Sequence, residues 1–153
     1  LESMALRNII REGDPILRKV SRPVENFDQR LWTLLDDMAE TLYRAEGVGL
    51  AAPQVGVLRR VVIVDVGQGL IELINPVIIK KSGRQQEVEG CLSCPGQSGI
   101  TRRPMRVTVE AQNRQGKTFT IAGEGLLARA FCHEIDHLDG ILFKDHAIRM
   151  LEE

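Results

Sequence analysis

Apolar residues recur along this chain with two different spacings, and the changes of spacing divide it into elements. Between 27 and 45 they fall at Phe27, Leu31, Leu34, Leu35, Met38, Leu42 and Ala45. That is the repeat of an amphipathic helix, and Gly47 is a suitable stop. "GVGLAAPQVG" (47–56) follows and reads as a loop of small residues. "RRVVIVDVG" (59–67) and "LIELINPVII" (70–79) are rich in β-branched residues and read as strands, as do "RVTVEA" (106–111) and "KTFTIAG" (117–123) around a turn at 113–116. From 123 to 138 the spacing returns to helical, with Gly140 placed to cap the C-terminus. Turn signals at Asp14-Pro15 and Arg22-Pro23 make the first twenty-five residues an arm laid over the body. The order predicts an α+β fold, a mostly antiparallel sheet wrapped around a central helix.

That last helix is apolar on two sides. Leu126, Ala130, His133 and His137 stack on one face, while Leu127, Phe131, Ile135 and Leu138 line another. A helix apolar most of the way round is buried, so its two histidines are expected inside the domain. No repeat or linker interrupts the chain, and 4–153 is read as a single domain. Leu1, Glu2 and Ser3 are set aside as residues left by cloning, because Met4 opens what reads as a natural start.

Composition narrows the function classes. Twenty basic against 21 acidic residues leave a net charge of −1, which argues against sequence-specific nucleic-acid binding or a membrane footprint. No apolar run reaches membrane-spanning length, and the N-terminus lacks the layout of a signal or transit peptide. The three cysteines, Cys91, Cys94 and Cys132, make no disulfide framework. Two stand together and the third abuts a histidine, which points to metal chemistry in a reducing compartment, the cytoplasm.

The chemistry centres on "CHEIDHLDG" (132–140), which contains H-E-x-x-H. Histidines four residues apart put two imidazoles on one helical face, where they can grip one ion. The intervening Glu134, turned ~100° away, can handle protons beside the ion without ligating it. A further ligand is required. The metzincin pattern would demand a third histidine where Phe143 stands. Asp145, His146, Glu152 and Glu153 match no known spacing. Upstream, "EVEGCLSCPG" (87–96) offers thiolates, and one thiolate with two imidazoles suits Zn²⁺ or Fe²⁺ with a fourth position left for water. A closed structural site of Cys91, Cys94, His133 and His137 is the competing arrangement, though it would have no use for Glu134. Cys132 points off the histidine face and reads as a small core residue. Glu89 is placed either to orient a ligand or to pair with Arg103.

"GVGLAAPQ", "EGCLS" and "HEIDH", in that order, resemble the three signature motifs of the peptide deformylase family. "DPILRKVSRPV" and "LLDDMAETLYRAEG" resemble its N-terminal part, so the resemblance covers nearly the whole chain. It implies a hydrolase that removes the formyl group from the N-terminal formyl-methionine of new polypeptides and releases formate. It implies that Cys91, His133 and His137 bind the metal and Cys94 does not. Glu134 would move the protons, and the Gln54 side-chain amide and Leu92 backbone N–H would face the oxyanion. Val48, Gly49, Leu126 and Ala130 are assigned to the methionine pocket. Fe²⁺ is the implied physiological ion, with Zn²⁺, Ni²⁺ or Co²⁺ as alternatives. The implied partners are N-formyl-methionyl nascent peptides, with transient ribosome association, in a bacterial cytoplasm rather than an organelle. The chain departs from the family at Ser98, where some members carry a basic residue, and at Cys94, where an aliphatic residue is usual. A zinc metallopeptidase and a non-catalytic, metal-stabilised binding module are the competing functions.

Overall fold

A computed structural model describes residues 5–152; the assignment of Leu1 to Ser3 to cloning lies outside the described residues, as does Glu153. Among the described residues are two α-helices and eight strands, the strands in two antiparallel sheets. The larger sheet runs β1 (Gly49–Ala51), β2 (Val61–Val64), β3 (Ile71–Ser82), β6 (Arg106–Gln112) and β7 (Thr118–Glu124), in that spatial order. The smaller runs β4 (Gln85–Cys91), β5 (Cys94–Arg103) and β8 (Ala147–Leu151).

The unbroken apolar run of β2 reflects burial on both faces. Val61 and Ile63 pack with Leu31, Leu35, Met38 and Leu42 of α1 (Gln29–Arg44). Val62 and Val64 turn the other way, into a core with Ala128, Phe131, Ile135 and Leu138 of α2 (Leu126–Leu138). The larger sheet is thus covered by α1 on one face and α2 on the other. The remaining side of α2 meets the smaller sheet, where β4 carries the partner of His133 and β5 that of Asp136. A central helix between antiparallel strands is therefore present, but the strands form two sheets, not one.

Local chemistry sets the boundaries. Asp28 caps α1 by accepting from the Leu31 N–H at 3.3 Å. Pro76, inside β3, is tolerated because the ladder to β6 shifts register between Ile74 and Val77. Asn75 adopts a left-handed φ of 53° there, and its side chain bonds both the N–H and the carbonyl of Val24. The N-terminal arm is tied to the sheet at that point. α2 begins at Leu126 rather than 123, since β7 keeps residues to Glu124 in its ladder with β6. Gly140 follows the helix with φ 74°, and a Cβ there would sit 2.5 Å from the Arg18 carbonyl oxygen. Residues Ala147–Leu151 form strand β8. Among the described residues no helix is long and apolar enough to cross a membrane.

Candidate metal centre

α2 presents His133 and His137 one turn apart, with ring centroids 5.1 Å apart. β4 brings Cys91 to them from its last position. The Cys91 Sγ lies 3.3 Å from His137 Nε2, and one donor atom from each of the three residues lies within 4.8 Å of the others. Donors held tetrahedrally at 2.0–2.3 Å from one ion stand roughly 3.3–3.7 Å apart, so the residues present fit a single metal ion. Cys94 is not in this group. It is buried with Leu17, Leu142 and Phe143, which accounts for an apolar residue being usual there. Two of the downstream candidates are engaged elsewhere: Asp145 with Arg18, and His146 with Asp136 at 3.3 Å. Phe143 stacks on the His133 ring at 6.1 Å and supplies packing where a metzincin would have a ligand.

His133 is oriented from behind. Glu89 Oε1 stands 3.1 Å from His133 Nδ1, which turns Nε2 toward Cys91 and His137. Glu89 is held in turn by two bonds of 3.0 Å from the Arg103 guanidinium and by the Thr101 hydroxyl. Arg103 also bonds Asp136 at 2.7 Å. Both sequence readings of Glu89, ligand orienter and Arg103 partner, therefore describe contacts it makes. Burial by itself would raise the Glu89 pKa, but the His133 and Arg103 contacts outweigh it and hold the carboxyl at about 2. Burial lowers His137 to about 3, so its imidazole is neutral, with a lone pair to donate. The neighbouring Cys94 thiol, followed by burial, pushes the Cys91 thiol up.

Glu134 is only 4% exposed, and its Oε1 has no hydrogen-bond partner among the described residues. Its other oxygen lies 4.0 Å from His133 Nε2. Burial lifts its pKa to about 7. The carboxylate is accommodated by Gly49 on β1, where a Cβ would fall 2.6 Å from Glu134 Oε2. Gln54 sits in the 3-10 turn Ala52–Val55 that follows β1. Its Oε1 accepts from the Ala51 N–H at 3.0 Å, which fixes the amide. Its Nε2 donates to Ser93 Oγ at 3.1 Å and approaches Cys91 Sγ at 3.5 Å. The segment read as a small-residue loop is thus a short strand and a turn that aim one amide at the site.

A pocket of about 380 Å³ opens beside these groups. Gln54, Cys91, Leu92, His133 and Glu134 line it, together with Val48, Gly49, Leu126 and Ala130. Sequence reasoning missed Glu46, Val88 and Arg129, which also line it. Arg129 precedes His133 by four positions, the spacing of the face already singled out, and was legible on that ground. Its guanidinium is steadied by Gln85 Oε1 at 2.6 Å. Val88 and Glu46 carried no such signal. Ser98 pairs with Gly90 across the β4–β5 ladder and does not reach the pocket lining.

The sequence model of the family described as polypeptide deformylase matches residues 6–153. The peptide deformylase of Acetivibrio thermocellus is 63% identical over 150 residues, covering 98% of this chain and 88% of that protein. A crystal structure of peptide deformylase from Thermotoga maritima aligns with a TM-score of 0.91 at 42% identity, over 93% of this chain and 97% of that one. A Met-Ala-Ser-bound crystal structure of a class I type b peptide deformylase from Acinetobacter baumannii aligns with a TM-score of 0.90 at 32% identity, over 94% and 99% of the two chains.

Proposed function

The chain belongs to the polypeptide deformylase family, metal-dependent hydrolases that remove the N-terminal formyl group from nascent peptides, and from that premise we propose how its own residues do so. Cys91, His133 and His137 would hold one divalent ion, which when bound supplies Lewis acidity to a water and to the formyl carbonyl. The donor set accepts Fe²⁺, Zn²⁺, Ni²⁺ or Co²⁺, and Fe²⁺ is our reading of the physiological ion. Glu134 takes the proton of the attacking water and hands it to the amide nitrogen as the C–N bond breaks. The Gln54 amide and the Leu92 N–H face the oxygen on which negative charge develops. The methionine side chain enters the pocket walled by Val48, Gly49, Leu126 and Ala130. The Met-Ala-Ser held by the Acinetobacter protein is the peptide such a reaction leaves behind.

The observation that carries this reading is the unpartnered Glu134 carboxylate oxygen, buried beside the Cys91–His133–His137 donors. The test is formate release from a formyl-methionyl peptide by protein loaded with Fe²⁺, Ni²⁺ or Co²⁺. Turnover of the formylated peptide and none of its unformylated counterpart is expected. Cleavage of internal peptide bonds would point to a peptidase, and full metal occupancy without formate would overturn the assignment. Formyl-methionyl nascent chains imply transient contact with ribosomes in a bacterial cytoplasm. Three free thiols support that compartment.

Gly49 offers a second check. An added methyl must displace the Glu134 carboxylate that now rests against it. Gly49→Ala is expected to lower kcat on the order of 10²-fold, the usual consequence of moving a reacting group by about an ångström. Metal content should stay at that of the parent protein. Steady-state kinetics with metal analysis on the same preparation would show whether the two separate.

A further inference from the structure

The turn Leu92–Ser93 sets Cys91 and Cys94 opposite each other as the last pair of the antiparallel β4–β5 ladder. Residues so paired have Cα atoms ~4.5–5.5 Å apart, inside the ~4.4–6.8 Å that a disulfide spans. Cys91 packs against the apolar cluster that holds Cys94, and no disulfide joins the two. Their surroundings differ. Cys91 lines the pocket and is partly exposed. Cys94 lies behind it at 1% exposure, among Leu17, Leu142 and Phe143. A small oxidant entering the pocket therefore meets Cys91 first, and the sulfur next to it belongs to Cys94. The third cysteine, Cys132, belongs to the separate core between α2 and the larger sheet.

We propose that Cys94 is a resolving cysteine: a hydroperoxide oxidises Cys91, and Cys94 then closes a 91–94 disulfide that releases the metal ion. The inference rests on reading Cys91 as a metal ligand, which holds it as thiolate, the nucleophilic form. The thiolate attacks one oxygen of the peroxide and the O–O bond breaks, giving the Cys91 sulfenic acid and hydroxide. The Cys94 sulfur attacks the Cys91 sulfur, the S–S bond forms and the S–O bond breaks. The departing hydroxide leaves as water with the Cys94 proton. Two sulfurs have lost two electrons, and one peroxide has become water and hydroxide. The donor set falls to two imidazoles, so the ion leaves. A dithiol returns two electrons and restores the site. With an aliphatic side chain at 94, the sulfenic acid would stay open to further peroxide and irreversible sulfinic acid.

The experiment uses the full chain loaded with Zn²⁺, an ion with no redox chemistry of its own. Zinc content is measured first: a chain that binds none with Cys91 intact overturns the ligand reading itself. A few equivalents of hydrogen peroxide follow, read by intact mass, by peptide mapping after alkylation and by zinc release to a chromophoric chelator. A loss of about 2 Da mapped to Cys91–Cys94 is expected, with one zinc released per link and rebound after dithiothreitol. Cys94→Ala and Cys94→Val should bind zinc like the parent but gain about 32 Da on Cys91, and dithiothreitol should not restore them. Having two variants guards against one that fails to fold. A zinc-loaded parent that accumulates oxygen on Cys91 without the 91–94 link, or links Cys91 to Cys132, refutes the proposal. So do Cys94 variants that recover zinc as fully as the parent.

Discussion

Glu134→Gln is expected to reduce kcat by about 10²–10⁴-fold, the span that a positioned general base contributes, while metal content stays at that of the parent. The amide fills the same space beside Gly49 and leaves Cys91, His133 and His137 untouched, but it cannot take a proton. The same substitution has a second signature that does not depend on catalysis. In metal-free protein the Glu134 carboxyl has its pKa raised by burial to about 7, against 4.5 when unfolded. Between those values the folded state holds a proton that the unfolded state has lost. Stability of the metal-free parent should therefore fall as pH rises from 4.5 through 7, by about 3 kcal/mol when the shift is converted at 1.36 kcal/mol per unit. The glutamine variant lacks that slope and should be the more stable of the two at pH 8. Denaturant unfolding of both metal-free proteins across this range would test it. Parallel pH profiles would mean that Glu134 is not the buried carboxylate described, and an unchanged kcat would remove it from the mechanism.

What the sequence disclosed, and what it hid, follow the same physical division. Elements that bury apolar side chains were legible: α1 from its helical repeat, β2 and β3 from β-branched runs, and α2 from its two apolar faces. The strands that carry the chemistry were not. β4 and β5 bury Gln85, Glu89, Thr101 and Arg103, and they expose Val88 at 55%. Their inside is polar and part of their outside apolar, so a search for alternating hydrophobicity passes over them. The smaller sheet was lost for that reason, and with it the division into two sheets. The site was easier to read than its scaffold, because H-E-x-x-H needs only a helix and the thiolate stood in a short list of donors. Gln54 could be nominated as an amide among small residues, but its aim comes from the Ala51 N–H and Ser93 hydroxyl, neither of which leaves a mark in spacing. Glu89 could be nominated as a ligand orienter or as a partner of Arg103. That both lie inside the protein required the fold.

Glu89→Gln should have the largest effect on stability, because it leaves Arg103 buried with one carboxylate partner fewer. Arg103 and Glu89 are 5% and 8% exposed, and the pair forms two bonds of 3.0 Å. Removing one member of such a pair strands the other charge and costs about 3–5 kcal/mol; Asp136, still 2.7 Å from Arg103 Nη1, keeps the loss near the lower figure. The pH dependence has a definite sign. The folded Glu89 carboxyl is held at about 2 against 4.5 unfolded, so the parent's advantage is complete above 4.5 and shrinks as pH falls toward 2. Parent and variant should therefore differ by a constant amount from pH 7 down to about 5 and converge in stronger acid. Metal binding should weaken as well. A glutamine can still accept from His133 Nδ1, but it brings no negative charge to make the ring a better donor, and losses of about 10–100-fold in metal affinity are typical for such supporting groups. Chelator competition would measure that loss separately from unfolding. A variant as stable as the parent at pH 7 would mean that Arg103 finds water or Asp136 sufficient. Unchanged metal affinity would mean that His133 is held in place by its stacking on Phe143, not by the carboxylate behind it.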